Sequence, residues 1–395
     1  MNQKEVYQKK EEKEEKEEKE EKEEKEEKEE KEEDMVIEVD TSINDVRVKS
    51  DFRGIAFSDF KKTDVKKKLI NALAQSKYEA SCYWSAELVC AGHYDDLWEI
   101  MIVFYFQYIQ TSNPKLCIYL KKRYLDFKTL MNTGFQDMEL SARNNIKIRK
   151  VFCELVCVLC GSNKAHSINP IKLVYADFEM DAMQDKLCAE ETNYIEELFQ
   201  AKDPKELFVA YNEFVYHLDK GNVRDACYWM EWIMEFEQKV VLEKNVCKCQ
   251  RRGFIGNLIE LKFQKDIVWM IWDAFFTEAS CKTNHKIIET IVRASLTLFT
   301  TRYTSTSYKK HRYLMYFLVQ LMSSPTMPSM STPLISNKPQ LEHFVNNIHH
   351  IYGQIKKNEH SPHTDYLYTN TKQTNIENTI ANLEAMNNME QIVRT

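Results

Sequence analysis

Glycine is scarce in this chain: 8 of 395 residues, about 2%, against about 7% in an average protein. Proline is equally rare, with 8. Phosphate-cradling loops, dinucleotide folds and barrels use glycine freely, and neither G-x-G-x-x-G nor G-x-x-x-x-G-K-S/T occurs. Long apolar runs are also missing. The longest, Ile100–Phe106, falls far short of the ~20 residues a bilayer-spanning helix needs, so no membrane segment is expected. The chain lacks a charged-then-apolar leader, since Met1 runs straight into Lys and Glu, and its 11 cysteines are an odd number. Reduced thiols in a cytoplasmic compartment are the expectation. A strong basic excess is absent too. The net charge is −7, but residues 10–33 are eight Lys-Glu-Glu triplets. Outside them 46 basic residues face 45 acidic ones, a net of +1. That argues against a dedicated nucleic-acid coat while leaving room for local basic patches.

What remains is a chain with 43% hydrophobic and 12% aromatic residues, enough for a substantial core. The apolar spacing is helical almost throughout. It predicts an all-α, multi-helix bundle or array of about 12 helices, near 64–76, 78–91, 94–110, 114–131, 142–160, 170–183, 190–200, 204–219, 223–243, 257–278, 284–300 and 306–322. Asn113-Pro114, Asn169-Pro170 and Asp203-Pro204 read as helix starts, with a polar cap followed by a proline whose missing N–H costs nothing there. Gly92, Gly161 and Gly221 read as helix ends. Two short strand candidates, Met35–Val39 and Val46–Val48, precede the helices.

Four segments follow. Residues 1–49 are a charged, low-complexity stretch. Residues 50–200 and 201–322 are two helical halves. Residues 323–395 are a Pro/Ser linker and a polar tail holding five of the ten histidines. Both ends are expected to be disordered, although the amphipathic stretch Leu341–Ile355 reads as a helix that docks back or binds a partner. The halves echo each other at an offset of 145, where Cys82-Tyr83-Trp84 matches Cys227-Tyr228-Trp229 and Leu69 and Leu73 match Phe214 and Leu218. Duplication is one reading, with about 26 residues inserted later in the second copy. Convergence of two buried Trp-bearing helices is the other.

Candidate chemistry is thin. Cys153, Cys157 and Cys160 have the C-x3-C-x2-C spacing of cluster-binding radical enzymes. They also fall at i, i+4 and i+7 of an apolar helix, which reads as core. A site completed by His166 is the minor alternative. Cys247-x-Cys249 lacks a second thiol pair, and His93 near Asp95 and Asp96 lacks a partner set. No catalytic residue, cofactor or metal site is therefore expected. Basic clusters beside aromatic residues supply a candidate nucleic-acid surface at Lys66, Lys67, Lys68, Lys121, Lys122, Arg123, Arg251 and Arg252.

Residues 69–120 carry a resemblance. Ala80-Ser-Cys-Tyr-Trp-Ser-Ala-Glu-Leu-Val-Cys-Ala-Gly92, followed by Asp96, Ile100, Val103, Ile109 and Asn113-Pro114-Lys-Leu, resembles the helical collar after the ATPase module of clamp-loader-related replication and repair ATPases. In that family the region oligomerises. The ATPase module has no counterpart here, and Phe104-Tyr-Phe-Gln replaces the family's acidic stretch, so the resemblance carries no catalytic residue. The body as a whole, with its Asn/Lys/Ile usage and expanded triplet repeat, also looks like uncharacterised helical proteins of large nucleocytoplasmic DNA viruses. These likenesses imply a non-enzymatic interaction or scaffold protein, an accessory of replication or repair with protein partners or further copies of itself. Weak DNA binding and no membrane contact go with that reading. A structural or assembly component of a viral particle is the alternative.

The triplet segment contains no apolar side chain with which to dock. Deleting residues 1–34 is expected to leave the melting temperature of the remaining chain unchanged in a differential scanning measurement. A drop of several degrees would mean that the segment packs on the body.

Overall fold

Helices form wherever the apolar spacing is continuous enough to bury one face. The computed structural model describes residues 41–136, 138–239, 247–282, 285–324 and 332–360. The triplet segment and the strand candidate at 35–39 lie outside them. The described residues contain thirteen α-helices and no strand; Val46–Val48 is irregular. The first five helices are α1 (Lys62–Ala74), α2 (Tyr78–Cys90), α3 (Tyr94–Tyr108), α4 (Leu116–Gly134) and α5 (Ile146–Gly161). The short α6 (Met180–Gln184) precedes α7 (Phe208–Asp219), α8 (Val223–Lys239), α9 (Val268–Cys281), α10 (His285–Phe299) and α11 (Arg312–Ser323). The chain then adds α12 (Lys338–Asn346) and α13 (Ile348–Lys356).

The two halves share one packing plan. In the first, α1 packs on α2, α3 and α5, α2 on α3 and α5, and α4 on α3 and α5, while α3 also meets α5. Substituting α7, α8, α9, α10 and α11 for α1 to α5 reproduces every one of these pairings. The turn inside the leading hairpin repeats at the offset of 145. Lys77 N–H donates to Ala72 O and Asn222 N–H to His217 O, while Ser76 N–H donates to Leu73 O and Gly221 N–H to Leu218 O. The residue between the helices is left-handed in both copies, Ser76 at φ 53° and Gly221 at φ 75°. Glycine suits the second site doubly, because an added Cβ would come 3.0 Å from the Ser323 carbonyl oxygen. The insertion falls between α8 and α9, where α2 and α3 need only three residues. The units meet through α4 on α10 and α3 on α11, and one continuous apolar core runs through both.

Some expected helices are absent, for physical reasons. Residues 170–183 and 190–200 give 3-10 turns at Tyr175–Phe178 and Asn193–Ile195 and the five-residue α6. Neither the first turn nor α6 buries a residue, so nothing supports a longer helix there. The expected helix 257–278 begins only at Val268. Ahead of it the Gln264 amide donates to Gly256 and Ile259 carbonyls and Trp269 Nε1 donates to Phe263 O, which ties the chain into a loop. Pro170 starts no helix, and α4 begins two residues after Pro114. Asp203 does not cap α7; its carboxylate accepts from Gln200 N, Gln250 N and Arg252 instead.

The body also extends past 50–322 at both ends. Ile43 is buried and Thr41 bonds Arg149. The segment beyond 323 is a linker and tail only in part, because α12 packs on α5 and α13 packs on α2 and α5. Ile348, Ile351, Tyr352 and Ile355 enter the core, with Tyr352 under the Arg149 guanidinium at 4.0 Å and Phe344 stacked on Tyr78.

Arg252 does not lie on a phosphate-tracking surface. It is 1% exposed, bidentate to Asp203 at 2.7 and 3.0 Å, with Asp273 2.7 Å from Nε. This ion triad, buried at Arg252 and Asp203 and half-buried at Asp273, anchors the insertion to the start of α7 and to α9. Arg252→Ala leaves two uncompensated carboxylates and is expected to cost about 3–5 kcal/mol. Its exposed neighbour should tolerate Arg251→Ala within about 0.5 kcal/mol. Urea midpoints of the two variants test the contrast; equal midpoints would contradict the anchoring role.

Candidate functional site

Most sequence-marked residues hold the fold. Lys66, with Lys62, bonds Asp96 at 2.9 Å and staples α1 to α3. Burial pushes the Asp96 carboxyl up, but the bonds from Lys62 and Lys66 win and hold it down to about 2. Lys68 lies over the Trp84 and Phe60 rings at 4.4 and 5.0 Å. Arg123 pairs with Glu154, which also accepts the Tyr119 hydroxyl. Lys121 is half-buried, and Lys67, Lys122 and Arg251 are exposed on three different elements.

Cys153, Cys157 and Cys160 are buried on one face of α5, as their spacing implies. Cys82 of α2 meets the first two, Sγ to Sγ at 3.8 and 3.7 Å, and Cys160 bonds Ser81 Oγ. Burial pushes the Cys90, Cys117 and Cys249 thiols up to about 12, which keeps them protonated and unreactive. His93 donates Nε2–H to the Ile55 carbonyl at 2.7 Å, so its ring ties α3 to the segment before α1. The residues behind the collar resemblance are likewise interior or turn positions: Cys82, Ala86, Ala91, Leu97 and Ile109 are buried and Gly92 turns at φ 72°.

A cleft of about 800 Å³ lies elsewhere, between residues 168–188 and the α7–α8 hairpin. The connection between the units is hooked onto the second unit by side chains. Tyr316 of α11 accepts Ile171 N–H, and Trp232 of α8 donates Nε1–H to Asp177 O and stacks on Phe178. Lys186 bonds Asp177 and sits 3.9 Å over the Tyr228 ring. On α7, Asn212 donates to Glu191 O. Glu213 accepts Cys188 N–H on Oε2 and Ala189 N–H on Oε1.

These hooks bring Cys188, Glu213 and His217 together with their ligating atoms all within 4.8 Å. Cys82, Cys153 and Cys157 form the other such group among the described residues. His217 is 2% exposed and its Nε2 has no hydrogen-bond partner, although Glu213 Oε2 lies 3.5 Å away. Lys172, Lys186 and Arg224 line the cleft, with Asp225 as the opposing charge. Sequence reasoning did not single out this trio. The available signal was Glu213-x3-His217, two ionisable groups on one face of an otherwise apolar helix. No protein-family model, curated protein or solved structure matches the chain.

Burial depresses His217, His311 and His93 below the usual histidine range, against the pull of nearby carboxylates. A base held neutral in the fold but free to protonate when unfolded contributes stability above its unfolded pKa of about 6.5, and that stability fades as pH falls. The urea midpoint is therefore expected to drop between pH 7.5 and 5, with a smaller drop for His217→Gln. An unchanged midpoint in the wild type would mean these rings gain protons as readily folded as unfolded.

Proposed function

We propose that the protein is a non-catalytic helical scaffold that works by binding other protein chains, a second copy of itself foremost. In a clamp-loader-collar-like role it would be an accessory of DNA replication or repair. One observation carries this reading. Val174, Tyr175, Met180 and Leu187 are 61%, 59%, 80% and 41% exposed, and all four lie on the connection that straps the second unit. Grouped exposed apolar side chains are a mark of protein-binding surfaces, whereas single ones are ordinary, and these four fall within residues 174–187. The basic residues support the same view from the other direction: Lys66, Lys68, Arg123 and Arg252, half of the candidate phosphate surface, are engaged within the protein.

Light scattering and sedimentation of the full chain test the reading. Self-association at micromolar concentration is expected, weakened several-fold by Tyr175→Ser with Met180→Glu. DNA binding should be weak, with a shallow salt slope, and gone near physiological salt. A strict monomer that holds DNA tightly at about 0.2 M salt would overturn the scaffold reading in favour of a nucleic-acid-binding one.

A further inference from the structure

We propose that Cys188, Glu213 and His217 bind one divalent transition-metal ion of the zinc class, with an open coordination position facing the cleft. The argument begins with the unpartnered ring nitrogen. His217 is buried, yet Nε2 makes no hydrogen bond. At 3.5 Å the Glu213 oxygen is too far to satisfy it well. That separation is close to the roughly 3.4 Å between two ligands that each lie about 2.0–2.1 Å from one tetrahedral ion.

The remaining parts are in place around that pair. Glu213 and His217 are one helical turn apart, so they share a face of α7. The carboxylate is locked by the N–H groups of Cys188 and Ala189, and each oxygen keeps a further lone pair. The same lock carries the Cys188 backbone to the site. Its thiol is exposed and makes only a weak 3.7 Å contact with Lys186 O, so rotation about its own side chain brings sulfur to the ion. Behind the ring, the Asn222 amide nitrogen lies 3.2 Å from Nδ1. A half-turn of that amide about its own bond presents the oxygen to Nδ1–H and fixes the tautomer that leaves the Nε2 lone pair free.

The donor set selects the metal class. Thiolate with imidazole disfavours calcium and magnesium, and two anionic ligands neutralise a dication. Binding displaces one proton from the Cys188 thiol to the buffer, so affinity rises with pH. Asp225 lines the cleft beside the trio and adds negative potential there. The fourth position opens on the cleft, where Lys172, Lys186 and Arg224 favour water or an anionic oxygen ligand. The Cys82, Cys153 and Cys157 group offers as many donors, but sulfur alone, sealed between α2 and α5.

Cobalt(II) titration of the chelator-treated full chain, followed by zinc competition, tests the site. One equivalent is expected, with a thiolate-to-cobalt charge-transfer band that zinc abolishes. Cys188→Ser, at an exposed position, should remove the band and weaken binding by more than about tenfold, and Asn222→Ala should weaken it by about 10–100-fold. A Cys153→Ala variant should keep the band. Absence of a band at saturating cobalt would overturn the proposal. So would a band that survives Cys188→Ser but vanishes in Cys153→Ala, which would assign the metal to the buried thiols.

Discussion

The later turns of the second helix in each five-helix unit are enclosed on every side, and the rest of the architecture follows from that constraint. In the first unit α2 is bounded by α1, α3, α5 and α13. In the second, α8 is bounded by α7, α9, α11 and the turn at Tyr175–Phe178. Both helices carry the Cys-Tyr-Trp triplet, with Cys82 and Cys227 fully buried. Every residue from Ser85 to Cys90 and from Trp229 to Met234 is buried, so these later turns need cover all round and three helices of their own unit are not enough. A fourth cover has to come from outside the five-helix plan.

The two units meet this need with different material. The first uses a pair of regular helices, whose isoleucines and Tyr352 enter the core. The second uses an irregular strap held by polar hooks from Glu213, Asn212, Trp232 and Tyr316. The hooks place a carboxylate and an imidazole beside the strap's cysteine. The cleft and the metal-capable trio are thus consequences of covering α8 with a strap rather than a helix.

How much of this was legible in the sequence depends on where the determinants lie. Helices such as α5 and α8 are written in their own residues, as an apolar stripe with a cap or a glycine at the end. The hairpin repeat was legible as well, because matched residues at a fixed offset build the same turn. The strap was not. Asn169-Pro170 looks like any helix start, and what prevents a helix is the absence of a face to bury, together with hydrogen bonds from residues tens of positions away. Arg252 shows the same limit, since an Arg-Arg pair in a loop looks cationic and exposed until Asp203 and Asp273 arrive from distant elements. Of the candidate site, the Glu213–His217 spacing was visible, and the cysteine that completes it depends on a contact across 25 residues.

The covers are also exchanged. The segment that leaves α5 crosses to enclose α8, and the segment that leaves α11 returns to enclose α2. On the ribosome this sets an order of events. The first unit is synthesised long before the helices that seal it, so its α2–α5 face stays wet until about residue 355 has emerged. The second unit meets its cover already made. Vectorial synthesis therefore leaves the first-made half incomplete the longest, and that is the half a nascent-chain chaperone would have reason to hold.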